Sequence, residues 1–226
     1  MIDRLGPYLL GPNDTPENGI YTGDCRTLAK AIPDESVDLI FTDPVYDRID
    51  DYRWLAEAAS RVLKMDRACL AFCGIGWLGP TVTAIEAGGL DYQWQLILSM
   101  PYRNGGHIPG GFSQYISCLW FQKGIARPSR QVPDMRLWRP AEGPFHWAKN
   151  PDFVAYYMDV FCNDEGMVCD FFVGSGTIPA VCKMLGRRYL AFEIDPDVAQ
   201  RARDRVRDTQ PPLFVPEPEQ AALWTS

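Results

Sequence analysis

Two short segments of the chain put polar groups where chemistry could use them. The first, Val37 to Tyr46, reads VDLIFTDPVY, an apolar run that ends in Asp43, Pro44 and Tyr46. A carboxylate beside the carbonyl of a proline in a rigid turn makes a pair of fixed acceptors, and the neighbouring tyrosine offers a stacking face. Two acceptors and a flat ring suit an aromatic amine. The second, Val168 to Asp195, reads VCDFFVGSGTIPAVCKMLGRRYLAFEID. An apolar run ends at Asp170, a Gly174-Ser175-Gly176 turn follows, a helix begins near Thr177, and another apolar run ends in Glu193, nineteen residues beyond Gly174. Glycines let backbone approach a ligand with no Cβ in the way, and a helix amino end presents free N–H groups. A carboxylate after the next strand can accept from two ribose hydroxyls, so the segment reads as a nucleoside cradle. NAD and FAD are disfavoured, because the third glycine of the dinucleotide fingerprint is missing and Pro179 stands in the first helical turn. Taken alone, each segment also fits an ordinary strand-end turn.

Both segments need strands that deliver them to one edge. Gly and Pro separate short apolar runs from longer amphipathic ones in regular alternation, which predicts an α/β fold with a parallel sheet. The expected strands are Ile20 to Thr22, Val37 to Thr42, Ala68 to Cys73, Tyr92 to Leu98, Tyr115 to Phe121, Met167 to Phe172 and Tyr189 to Ile194. The expected helices are Arg26 to Ala31, Tyr52 to Leu63, Thr81 to Ala87, Pro151 to Phe161, Ile178 to Leu185 and Pro196 to Arg207. That makes about seven mostly parallel strands with helices on both faces, and ligands of such sheets sit outside the carboxyl ends of the strands. With 226 residues the chain fits one domain over 1–208, with a small lobe at about 101–149 and a Pro/Glu-rich tail over 209–226.

The net charge of −7 argues against a surface that binds polyanions everywhere. Between Arg103 and Lys149, however, the chain carries +5, leaving −12 for the remainder. His107, His146, Phe112, Trp138, Phe145 and Trp147 share that stretch, a mixture suited to phosphate contact and base stacking; the alternative is an irregular surface lobe with ordinary charges. The seven cysteines are odd in number, scattered and mostly inside apolar runs, so they read as small hydrophobes, without a disulfide framework or a metal site. No apolar run reaches membrane-spanning length, and a soluble, cytoplasmic protein is expected.

Together the two segments are far more specific than either. The chain resembles the S-adenosylmethionine-dependent DNA methyltransferases that act on exocyclic amino groups, adenine N6 or cytosine N4. In that family D-P-P-Y marks the catalytic turn and D-x-F-x-G-S-G-T the cofactor turn. Asp43-Pro44-Val45-Tyr46 precedes Asp170-Phe171-Phe172-Val173-Gly174-Ser175-Gly176-Thr177 here, similar to a circularly permuted order of the family. Gly23-Asp24-Cys25, Arg61-Val62-Leu63-Lys64 and Leu185-Gly186-Arg187-Arg188 with Glu193 extend the similarity, which runs from Gly19 to about Arg207. Val45 and Phe171 depart from the pattern, each standing where the family has proline.

The resemblance implies a Rossmann-like methyltransferase fold, S-adenosyl-L-methionine as cofactor and a restriction–modification setting. Asp43 and the Pro44 carbonyl would accept the amino hydrogens of a base extruded from double-stranded DNA, while Tyr46 stacks on it. Gly174 to Thr177 would border the methionine part of the cofactor, Glu193 would hold its ribose hydroxyls and Asp24 would accept from its adenine amino group, with Cys25, Asp170, Phe172 and Ile194 also on the cofactor side. Lys149 is assigned to the cofactor side through a loose similarity around His146 to Pro151. Arg103, Arg127, Arg130, Arg136 and Arg139 are expected to face nucleic acid. Adenine N6 is favoured because the catalytic turn begins with Asp; cytosine N4, an RNA substrate or a catalytically silent nucleic-acid-binding protein are the alternatives. The small lobe suggests a homodimer, a partner subunit or loose sequence preference.

Overall fold

Val37, Leu39, Ile40 and Phe41 leave neither face of their strand polar, and such a strand is stable only when covered on both sides. In the computed structural model, which describes residues 10–100, 106–108, 110–137 and 149–210, it lies at the centre of a mixed sheet. Along the chain the elements are β1 (Asn18–Thr22), α1 (Cys25–Leu28), β2 (Val37–Thr42), α2 (Ile49–Val62), β3 (Leu63–Cys73), α3 (Leu78–Ala87) and β4 (Asp91–Ser99). There follow β5 (Gly106–Ile108), β6 (Gly111–Ser113), β7 (Tyr115–Lys123), β8 (Met135–Leu137), α4 (Pro151–Phe161), β9 (Met167–Asp170), α5 (Thr177–Met184), β10 (Arg188–Glu193) and α6 (Pro196–Asp208).

Among the described residues the main sheet has eight strands in the order β1-β10-β9-β2-β3-β7-β4-β8, and β5 and β6 form a separate hairpin. The first five are parallel, β7 runs antiparallel to β3 and β4, and β8 is parallel to β4. This is the Rossmann-like methyltransferase architecture, a mixed and mostly parallel sheet between helical layers. It corrects the expected strand count. The extra strands are three residues each and come from the Gly- and Pro-rich stretches, where no alternating pattern announces them. The helix expected over Arg26 to Ala31 is one α turn followed by a 3-10 turn over Ala29–Ala31, and β3 begins five residues early because Lys64 to Arg67 continue it as a solvent-facing strand. Arg103, Arg139, much of the expected lobe and the tail from 211 lie outside the described residues.

Each face of the sheet has its own apolar layer. Tyr52, Leu55 and Ala59 of α2 and Ile85 of α3 pack with Ile40, Cys69, Phe121 and Phe192, whereas Phe153 and Tyr157 of α4, Val181 of α5 and Ala202 of α6 pack with Leu39, Phe41, Leu70 and Phe72. The seven cysteines are all free and buried in these layers. No described helix is long and apolar enough to cross a membrane.

The start of α5 depends on one glycine. Gly176 caps it in the left-handed region (φ 75°), and a Cβ there would lie 2.9 Å from Ala202 Cβ and 3.0 Å from Ala202 Cα in α6. Both the backbone and the helix contact exclude a side chain. Gly176→Ala is therefore expected to lower the unfolding free energy by about 1–3 kcal/mol from the left-handed strain alone. Urea unfolding should show an earlier midpoint at unchanged slope.

Candidate active site

The five parallel strands end along one edge, so the residues that follow them meet there: Gly23 and Asp24 after β1, Asp43 to Tyr46 after β2, Gly74 after β3, Phe171 to Gly174 after β9, and Ile194 after β10. A cleft of about 460 Å³ opens at this edge. Its acidic groups are Asp24, Asp43, Asp51 and Glu193, its apolar walls include Val45, Phe172 and Ile194, and Gly174 forms part of its rim. Ile194, 69% exposed, is the most exposed large apolar side chain of the described chain, as a hydrophobic ligand-facing wall requires.

Glu193 is already positioned by backbone. Its Oε2 accepts from Gly174 N–H at 3.0 Å and its Oε1 from Asp195 N–H at 3.1 Å, which leaves lone pairs on both oxygens for a diol. Gly174 has φ 51° and nothing within 4 Å of where a Cβ would stand, so the missing side chain keeps the cleft open. Asp24 caps α1, accepting from Arg26 N–H at 2.9 Å, and remains exposed at the mouth. Cys25 contributes a buried thiol pushed up to about 12 by burial first and the Asp24 charge second, so it lines the cleft as a neutral group.

The turn from Asp43 to Tyr46 follows β2 at one end of the cleft. Oδ2 of Asp43 pairs with Lys149 Nζ at 2.6 Å, and its Oδ1 is buried with no hydrogen-bond partner. Tyr46 is half-buried against Gly74, where a Cβ would come within 2.9 Å of the tyrosine Cβ. Burial, then the charge of Asp43, raises the Tyr46 hydroxyl far above its usual range and keeps it neutral. Val45 is half exposed and its carbonyl accepts from Arg48 N–H at 3.1 Å, closing the turn that leads into α2.

Several expected site residues stand elsewhere. Ser175 and Thr177, on either side of Gly176, are engaged by α6: Arg205 donates to Ser175 O (3.1 Å), Ser175 Oγ (3.3 Å) and Thr177 Oγ1 (2.8 Å). Asp170 is 1% exposed and bonded inward to Thr42 Oγ1 at 2.8 Å. Lys149 pairs with Asp43, because the cap of α4 that follows it sets it opposite that carboxylate. Of the expected basic residues that are described, Arg130 and Arg136 gather over one ring, that of Tyr156, while Arg127 stands apart from them. β7 is antiparallel, so it carries the chain from Ser117, opposite Cys73, to Lys123, opposite Arg67, at the far edge of the sheet. There Ile125 N–H donates to Asp66 and Ser129 N–H to Val160 O, so Arg127 and Arg130 lie away from the cleft, Arg130 paired with Asp159 at 2.9 Å. Arg136 lies over the Tyr156 ring at 3.9 Å.

Arg26, Arg48 and Asp51 also line the cleft and are not singled out by the sequence. Arg26 donates to the buried Asp51 carboxylate at 2.5 Å, tying the first turn of α2 to α1. The signal was present: Asp51 sits in an acidic first helical turn soon after the catalytic motif. A larger hollow of about 530 Å³ lies at the opposite end of β10 and offers little to a charged ligand, since Arg188, Arg203 and Arg207 around it pair with Glu17, Asp14 and Asp204.

Comparison with known proteins bears on this site. A family model described as DNA methylase, of the N6/N4 type, matches residues 111–204, which include Lys149, the glycine turn and Glu193. Over these residues the chain is similar to the DNA methylases of the N6/N4 type. YubD of Escherichia coli (strain K12) is 25% identical over 190 residues, covering 76% of this chain and 82% of YubD. Two solved structures share this chain's fold. The PvuII DNA methyltransferase (cytosine-N4-specific) aligns with TM-score 0.75 at 17% identity, covering 85% of this chain and 87% of its own. The M1.HpyAVI–SAM complex aligns with TM-score 0.70 at 20% identity, covering 83% and 98%. The cleft residues fit S-adenosylmethionine: a carboxylate with free lone pairs for the ribose, an exposed apolar wall for the adenine ring, and open space at Gly174.

Asp170 gives the protein a measurable pH signature. Burial raises it to about 7, against the Thr42 and Phe172 hydrogen bonds that lower it. Its folded value lies above its unfolded one, so the folded protein holds the extra proton between them, and Asp170 makes stability fall as pH rises from about 4 to about 7. Urea unfolding at pH 4.5 and 7.5 should show a smaller acid-side advantage in Asp170→Asn than in the parent. An equal difference in both proteins would mean that Asp170 is not the group titrating.

Proposed function

We propose that the protein methylates adenine N6 in double-stranded DNA, on a base extruded from the helix into the space beside Tyr46. The observation that carries this reading is the buried Oδ1 of Asp43, an acceptor with no partner at the mouth of the cleft. An unsatisfied buried carboxylate oxygen costs free energy that an incoming N–H donor recovers. In this reading one amino hydrogen donates to Asp43 Oδ1 and the other to the Pro44 carbonyl, which draws the nitrogen lone pair out of conjugation with the ring. Tyr46 stacks on the base and holds its plane. Bound S-adenosylmethionine supplies the electrophilic methyl group. The attacking nitrogen then sheds one proton, which Asp43 accepts. Catalysis is positioning and electrostatics, without a covalent enzyme intermediate.

On the cofactor side, Glu193 takes the ribose hydroxyls, Asp24 the adenine amino group, Ile194 and Phe172 the ring faces, and Gly174 lies along the methionine arm. This division is supported by the two lone-pair-bearing oxygens of Glu193 and by the exposure of Ile194. The preference for adenine rests on Asp43 leading the turn, and the order of motifs is read as the permuted one. With Arg127 and Arg130 at the far edge, DNA is read as approaching the cleft edge, where β4 and β8 end at Ser99 and Leu137. A homodimer that widens this face is part of the same proposal.

Mass spectrometry of nucleosides from host DNA after expression should show N6-methyladenine. N4-methylcytosine instead would move the substrate base, and neither product would remove DNA as the substrate. Asp43→Ala should lower product formation by at least ~100-fold, the usual scale for one transition-state hydrogen bond or more. S-adenosylhomocysteine affinity should stay within about threefold of the parent in calorimetry, because Asp43 lies at the base end of the cleft.

A further inference from the structure

Lys149 is the described residue whose place the resemblance explains least. Its neighbour Asn150 is buried and caps α4, accepting from Phe153 N–H at 2.9 Å, and Pro151 fixes the first turn. Phe153 in turn packs on Phe72 of β3, with ring centroids 5.8 Å apart. The backbone at 149 is thus anchored to the sheet by a helix start, which makes it unlike a surface lysine free to swing. From that anchor the side chain, only 13% exposed, passes the Phe72 ring (5.0 Å) and the Tyr46 ring (5.3 Å) and ends on Asp43 Oδ2 at 2.6 Å. One ammonium therefore touches the carboxylate and both aromatic faces beside it.

The consequence for Asp43 is an asymmetry. A free carboxylate presents two equivalent oxygens and rotates between them, whereas here one oxygen is occupied and the other is buried and unpartnered. We infer that Lys149 is a positioning residue for methyl transfer: it holds Asp43 Oδ2 so that Oδ1 alone, in one fixed direction, receives the amino group of the base. The inference rests on the reading of Asp43 as that acceptor. It separates Lys149 from the cofactor, since its ammonium reaches the β2 turn and not the Gly174–Glu193 end of the cleft. The pair is close enough for a charge-assisted bond, which fixes direction more strongly than a neutral one.

Three variants test the assignment in steady-state methyl transfer on host DNA and in S-adenosylhomocysteine calorimetry. Lys149→Met should lower kcat by about 100-fold, the scale for a lost preorganised electrostatic contact. Its KM for S-adenosylmethionine and its affinity for S-adenosylhomocysteine should stay within about threefold. Lys149→Arg, which keeps a donor cation, should recover at least tenfold of that loss, a rescue that a purely structural role for the side-chain stem would not produce. Should Lys149→Met fail to fold by circular dichroism, Lys149→Gln carries the same expectation. Affinity for S-adenosylhomocysteine reduced tenfold or more, with kcat little changed, would return Lys149 to the cofactor and overturn the assignment, as would an unchanged kcat. Asp43→Asn distinguishes the two levels of the argument. If it is inactive while Lys149→Met is normal, only the role of Lys149 falls; if it is fully active, the reading of Asp43 falls first.

Discussion

One hydroxyl joins the two halves of the site. The β2–β9 ladder pairs only Leu39 with Val168 and Ile40 with Cys169, and the strands then part. In the gap Thr42 Oγ1 donates to Asp170 Oδ1 at 2.8 Å and accepts from Phe171 N–H at 3.2 Å, across 128 residues of sequence. Asp43 follows Thr42 directly, and Gly174 follows Asp170 by one turn, so this bond sets the distance between base side and cofactor side. The strands part here for a topological reason. β2 leads through α2 on one face of the sheet and β9 through α5 on the other, and a crevice opens where two crossovers diverge. A valine at 42 would keep the shape but leave the buried Phe171 N–H without its partner and Asp170 Oδ1 with only the Phe172 N–H, a larger loss than the hydroxyl's net contribution.

The two departures from the family pattern have separate physical accounts. Phe171, in place of a proline, is 1% exposed, stacks on Phe192 with centroids 5.7 Å apart and meets the edge of Trp54 at 5.2 Å. It belongs to the apolar layer under the cleft, and its N–H serves the Thr42 bond, which proline could not do. Val45 is half exposed at the cleft wall, and the turn around it is closed by its own carbonyl and Arg48 N–H. Neither residue removes Asp43, the Pro44 carbonyl or Tyr46.

What the sequence made legible follows from the length of the signal. Central strands such as β2 and β9 are buried on both faces and appear as unbroken apolar runs, so their ends, and with them Asp43 and Glu193, are readable within a residue or two. The edge strand β8 exposes Met135 and Leu137 and has no such run. Side-chain direction is less legible still. The Gly-Ser-Gly-Thr turn is plain in the sequence, but whether Ser175 and Thr177 face a ligand or Arg205 depends on α6, which arrives from twenty residues downstream. The placement of the basic stretch was no more legible: an antiparallel strand carries the chain to the far edge of the sheet before Arg127, and Arg130 and Arg136 then meet over Tyr156. Lys149 was visible as a residue type but its ion pair with Asp43 was not, because that partner lies more than a hundred positions away.

The thiols carry a practical consequence. All seven are buried, and burial pushes those of Cys25 and Cys69 up to about 12 and that of Cys162 up to about 11, so the reactive thiolate is scarce at neutral pH. The native chain is therefore a quiet background for maleimide chemistry. A single cysteine introduced at an exposed position on α6 or the β8 edge can carry a fluorophore or spin label without first stripping the natural ones, whose removal would open voids in both apolar layers.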